Sequence, residues 1–108
     1  MKVDPNIKDN NGRTPLLWAS YHGYLDIVKC LIEEGKADPN IRDKYGETPL
    51  YVASKNGYFD IVKCLIKQGK ADPNMDVMNI YGRKRILDII LEQLLVNIKN
   101  YLKFIMFI

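Results

Sequence analysis

A single histidine, two cysteines and one tryptophan in 108 residues leave this chain almost without the side chains that metals and nucleophilic mechanisms require. A structural zinc site takes about four ligands, yet His22 is the lone imidazole and neither Cys30 nor Cys64 has a second cysteine at Cys-x-x-Cys spacing. No metal and no cofactor is expected. His22, Asp26 and Cys30 follow one another at four-residue steps, but Gly23 interrupts the helix that this spacing needs. Farther along the chain Asp60 and Cys64 recur with Asn56 in the imidazole's place. No Gly-rich phosphate loop, Walker-type run or nucleophile elbow is present either, so an enzyme is not expected and no residue is assigned a catalytic role. Charge of one sign is also scarce. Sixteen basic against 13 acidic residues give a net +3, a balance that points to no nucleic-acid partner. Met1-Lys2-Val3-Asp4-Pro5-Asn6 holds no apolar run of the signal-peptide kind, so a cytoplasmic location is the expectation, with export to a host cell open.

What the chain does have is a copy of itself. Asp4 to Ala37 overlays Asp38 to Ala71 without gaps, with 23 of 34 positions identical. Such a period marks a solenoid, whose units bury their apolar faces only against neighbours. Within the unit, Thr14-Pro15-Leu16 and Thr48-Pro49-Leu50 predict helix starts: the Thr hydroxyl accepts a free backbone N–H, and proline at the first helical position forfeits no bond. Gly23 and Gly57 end that short helix. A second helix is predicted over Leu25 to Glu34 and over Phe59 to Gln68. Ile27, Val28, Leu31 and Ile32, with Ile61, Val62, Leu65 and Ile66, form its apolar face, and Gly35 and Gly69 close it. Ala37 to Gly46 is rich in turn formers and predicts a projecting, hairpin-like loop. Cys30 and Cys64 sit at one place on successive second helices, whose axes should stand about 8–10 Å apart. That is too far for an easy disulfide, and both are read as small buried or half-buried hydrophobes.

Asp9-Asn10-Asn11-Gly12-Arg13-Thr14-Pro15-Leu16, Ala19-Ser20, Gly23-Tyr24, Ile27-Val28, Leu31-Ile32, Gly35 and Ala37-Asp38-Pro39-Asn40, with their second copies, resemble the ankyrin repeat. The resemblance covers residues 4–71 twice over. It implies an all-α, ankyrin-type α-solenoid of helix-turn-helix repeats with hairpin-like loops, and a protein-binding scaffold as its use. Three departures stand out. Lys36 and Lys70 each add a residue between the glycine and Ala-Asp, which predicts a bulged loop. Leu17 and Tyr51, then Tyr24 and Tyr58, stand where the family commonly has histidines, so those histidines' hydrogen bonds are not carried over.

The third unit, opened by Asp72-Pro73-Asn74, loses the frame: Lys84-Arg85-Ile86 stands where Thr-Pro-Leu would. With no Gly or Pro after Gly82, Arg83 to Phe107 is predicted to be one long helix closing the solenoid, with Ile86, Ile90, Leu94, Ile98, Leu102 and Ile105 as an apolar stripe and Asp88, Glu92, Lys99 and Lys103 on one solvated face. The Arg83-Lys84-Arg85 cluster is read as a solvated run beside that helix start, where its charge sits slightly badly with the helix dipole. One domain over 1–108 follows: repeat 1 about 4–37, repeat 2 about 38–71, and a degenerate repeat with capping helix about 72–108. Residues 90–108 hold 13 apolar residues against three charges, a balance that disfavours a membrane span. Attachment to a membrane through residues 86–108, self-association through the apolar end Phe104-Ile105-Met106-Phe107-Ile108, and a remnant of a longer array remain the alternatives to a protein-binding module.

Positions where the copies differ are free of the stacking constraint. Asn10/Lys44, Asn11/Tyr45, Arg13/Glu47, Tyr21/Lys55 and His22/Asn56 are such pairs, and the resemblance places them at the loop tips and the exposed side of the first helix, where partners dock. These ten, with Arg42, form the candidate partner-binding set. Tyr21, Tyr45 and Arg13 are favoured as anchors because Tyr and Arg dominate interface energetics. Trp18 lies nearby but aligns with Val52, which predicts a core position.

Overall fold

The computed structural model describes residues 4–72, 76–79 and 82–106, with side chains described over 4–72 and 88–106. Met1 to Val3, the Pro73-Asn74 of the third unit and the terminal Phe107-Ile108 lie outside the described residues. Helix α1 runs Pro15–His22, α2 Leu25–Glu33, α3 Pro49–Lys55 and α4 Phe59–Lys67; strands β1 (Asp76–Asn79) and β2 (Gly82–Arg85) precede α5 (Ile86–Met106). The result is an all-α solenoid of stacked helix pairs, with one two-stranded hairpin ahead of its last helix.

The Thr-Pro starts behave as the chemistry requires. Leu17 N–H donates to Thr14 Oγ1 and Tyr51 N–H to Thr48 Oγ1, each at 3.2 Å. Gly23 ends α1 at φ 79°, and it is also a point of close approach: a Cβ there would stand 2.9 Å from the Tyr58 ring. α3 is only seven residues long, too short to persist in water unaided. It persists because Pro49 to Ser54 are all buried, with α1 packed on one side and α5 on the other. Ala19, Ser20, Ala53 and Ser54 keep those helices close, and fully burying Leu50 or Leu65 contributes roughly 1.5–3 kcal/mol each.

The second helices end one residue earlier than the sequence predicts, and Gly35 and Gly69 play a different part from the expected one. The left-handed residues are Lys36 (φ 55°) and Lys70 (φ 62°), the inserted positions. The extra residue widens the helix closure, so that Ala37 N–H donates to Leu31 O and Ala71 N–H to Leu65 O, both at 2.9 Å. The glycines are needed for room instead: a Cβ on Gly35 would stand 2.8 Å from Leu31 O.

Three further expectations are corrected. Arg83 to Arg85 do not open the long helix: Gly82 to Arg85 is a strand antiparallel to β1, with Asp76 in register with Arg85 and Asn79 with Gly82, and α5 begins at Ile86. Ile27 and Cys30 are exposed, whereas their counterparts Ile61 and Cys64 are buried, because α2 covers the flank of α4 and among the described residues no helix covers the same flank of α2. Trp18 is 41% exposed while Val52 is buried, for the same reason: α1 packs on α3, and α1 itself has an open side.

α5 closes the solenoid with its first turns alone. Ile89 is buried and Ile90 and Gln93 half-buried, and α5 packs chiefly on α3 in the place a third first-helix would occupy. From Leu94 to Met106 every residue is exposed.

Candidate functional site

The two loop tips are built alike by an aspartate. Asn11 N–H and Arg13 N–H donate to Asp9 Oδ1 at 2.8 and 3.0 Å, and Tyr45 N–H and Glu47 N–H donate to Asp43 Oδ1 at 2.9 Å each. These bonds fix a tight turn in which Asp9 N–H reaches Arg13 O, and Asp43 N–H reaches Glu47 O. The second carboxylate oxygen differs between the copies. Trp18 Nε1–H donates to Asp9 Oδ2 at 3.0 Å. Val52 offers no such donor, and Arg13 of the preceding tip faces Asp43 Oδ2 at 3.7 Å instead. The Arg13 and Asn11 N–H groups and the indole hold the Asp9 carboxyl below its usual range, the Arg13 N–H most of all. Lys44 N–H donates to Asn11 O at 2.9 Å and ties the tips together.

Arg13 is the hinge pin of what surrounds it. Its guanidinium carbon lies 5.3 Å from the centroid of the Trp18 ring and 6.0 Å from that of Tyr45, and Lys44 Nζ lies 5.1 Å from Tyr45 on the same tip. Trp18 and His22, four residues apart on α1, stack at 5.4 Å with planes 5° apart. His22 then meets Tyr21 edge-on at 5.1 Å and Tyr24 near-parallel at 5.6 Å. Tyr45, Arg13, Trp18, His22 and Tyr24 therefore form one continuous run of cation–aromatic and aromatic contacts. Its tyrosines are about half exposed. Rings held this way present rigid, amphipathic area, which loses little conformational freedom when covered. A shallow depression lined by Ile7, Arg13, Pro15 and Trp18 lies beside it.

Of the eleven residues singled out from the sequence, Arg13, Tyr21, His22, Lys44 and Tyr45 converge on this run. Asn10 is exposed on its tip, and Asn11 contributes its backbone carbonyl. Four others have work within the fold. Arg42 Nη1 donates to Gly46 O at 3.1 Å inside the second tip, and Asn56 Nδ2 donates to Tyr21 O at 3.2 Å across the repeats. Lys55 Nζ sits 5.9 Å from the Tyr51 ring. Glu47 is half-buried beneath the second tip; desolvation, then the Asp43 charge, push its carboxyl above the usual value.

Trp18 and Tyr24 belong to the run although comparing the copies does not point to them. Tyr24 recurs as Tyr58, so it reads as frame, and Trp18 reads as core. Their exposure follows from packing: among the described residues no helix covers the outer flank of α1 and α2. The Asp-Pro-Asn segments are frame throughout. Asn6 Oδ1 accepts from Asp38 N–H at 2.8 Å and Asn40 Oδ1 accepts from Asp72 N–H at 3.3 Å, a ladder between units.

Comparison with known proteins agrees with the fold. The family model described as ankyrin repeats (3 copies) matches residues 1–77, a match that ends within β1. None of the curated proteins compared matches the chain. Among solved structures, a chain from the complex of a predatory endopeptidase of Bdellovibrio bacteriovorus with an immunity protein is similar, at 39% identity and a TM-score of 0.65. The similarity covers 70% of this chain and 38% of that one.

Proposed function

Because the chain belongs to the ankyrin repeat family, we propose that it is a non-enzymatic interaction module that grips a folded protein through the run from Tyr45 to Tyr24. The observation that carries this is the Arg13 guanidinium held between Trp18 and Tyr45 across two adjacent loop tips. Arg, Trp and Tyr are the residue types that concentrate binding energy, and here they are preorganised by turns that the aspartates fix. The similarity to a chain from a complex of two proteins supports the same reading. An anchor at a membrane is less well supported: among the described residues no helix is long and apolar enough to cross one.

The test uses exposed residues whose removal leaves the turns intact. Tyr21→Ala, His22→Ala, Lys44→Ala and Tyr45→Ala combined should abolish capture of the partner that wild-type chain retains from a lysate, with the circular dichroism spectrum unchanged. Capture undiminished in a folded quadruple variant would contradict the proposal.

A further inference from the structure

α5 is 21 residues long, about 31 Å, and the solenoid uses only its first two turns. Leu91, Leu94, Ile98, Tyr101 and Ile105 follow one another at steps of three, four, three and four residues, the spacing of a coiled-coil seam. They are 41–65% exposed. At roughly 100° per residue this seam lies about 110° round the helix from the mean direction of Ile89, Ile90 and Gln93, which meet the solenoid, so the fold itself does not cover it. Leu95 and Leu102 widen the seam on one side.

We propose that this seam pairs with the same seam of a second copy, the two α5 helices running antiparallel. The spacing is complementary to itself: with Leu94 against Ile98 of the other copy, Leu91 falls against Tyr101. The direction follows from charge. Asp88 and Glu92 lie in the first half of α5, Lys99 and Lys103 in the second. These charges lie on the face turned about 130° from the seam and act across the pair only at long range: an antiparallel pair sets each acidic half along a basic half and opposes the helix dipoles, which a parallel pair does not. The half-exposed apolar residues on this side, at roughly 200 Å² each when fully open, offer on the order of 800 Å² per copy, the contribution of each partner to a standard specific interface.

Light scattering on a sizing column, with the full chain, should give twice the 12.5 kDa monomer mass, and Ile98→Glu should return it to the monomer mass without loss of helicity, since Ile98 touches nothing the solenoid needs. Orientation is read separately, in a Cys30→Ser background. Copies carrying Leu94→Cys, mixed with copies carrying Ile98→Cys and mildly oxidised, should form the mixed disulfide in preference to either homodisulfide. A monomer at every concentration, a dimer that survives Ile98→Glu, or dominant homodisulfides would overturn the proposal. So would a monomer that sediments with vesicles of equal phosphatidylcholine and phosphatidylserine, which would assign α5 to a lipid surface.

Discussion

Arg13 carries two duties that pull on one side chain. It faces the partner surface between two rings, and it faces Asp43, whose side chain is fully buried with Oδ2 lacking a hydrogen bond. Arg13→Ala leaves that carboxylate without its counter-charge and should destabilise the fold by about 1–2 kcal/mol, read by urea denaturation; an unchanged midpoint would show the ion pair to be idle. Glu47 makes the opposite prediction. Its raised carboxyl pKa means that the folded state holds the proton more tightly than the unfolded one, so stability is lost as pH rises from the unfolded value through the folded one. Glu47→Gln should therefore raise the melting temperature at neutral pH, and the gain should vanish in acid below the ordinary Glu value, where both side chains are neutral. The Thr14 and Thr48 caps are legible in the sequence because Thr-Pro is a local signal. The Arg13–Asp43 pair is not, because it joins residues 30 apart through a stacking distance that only the fold supplies.

At the scale of elements, what the sequence shows best is what repeats. α1 to α4 appear where the caps, glycines and apolar spacing place them, since each signal acts within one turn of helix. The errors fall where an element's neighbour decides its environment. Ile27 and Ile61 are the same residue in the same local sequence, yet Ile27 is 50% exposed and Ile61 2%. Ile61→Lys should cost about 3–5 kcal/mol by burying an unpaired charge, and Ile27→Lys less than about 0.5 kcal/mol. Equal losses in thermal denaturation would mean that something covers α2 after all. The β1–β2 hairpin is hidden for a related reason: with no Gly or Pro after Gly82, Arg83 to Arg85 read as the start of the helix that follows, and strand pairing depends on a partner segment that periodicity does not reveal.

Across the whole molecule the two ends of the stack differ from its middle. α3 and α4 are covered by repeat 1, whereas the outer flank of repeat 1 shows Trp18, Tyr24 and Ile27, and the far end continues into the exposed half of α5. The candidate site draws its aromatic side from the first of these ends and its cations from the two tips, which is why comparing the copies found Arg13, Tyr21 and Tyr45 but passed over Trp18. The central claim is that one continuous surface, from the second tip across Arg13 to the end of α1, meets the partner. Amide hydrogen exchange on the chain alone and in complex with the captured partner tests it most directly. New protection at residues 9–24 and 43–47, with α2 and α4 unchanged, is the predicted result. Protection confined to α5, or to the outward faces of α2 and α4, would contradict it.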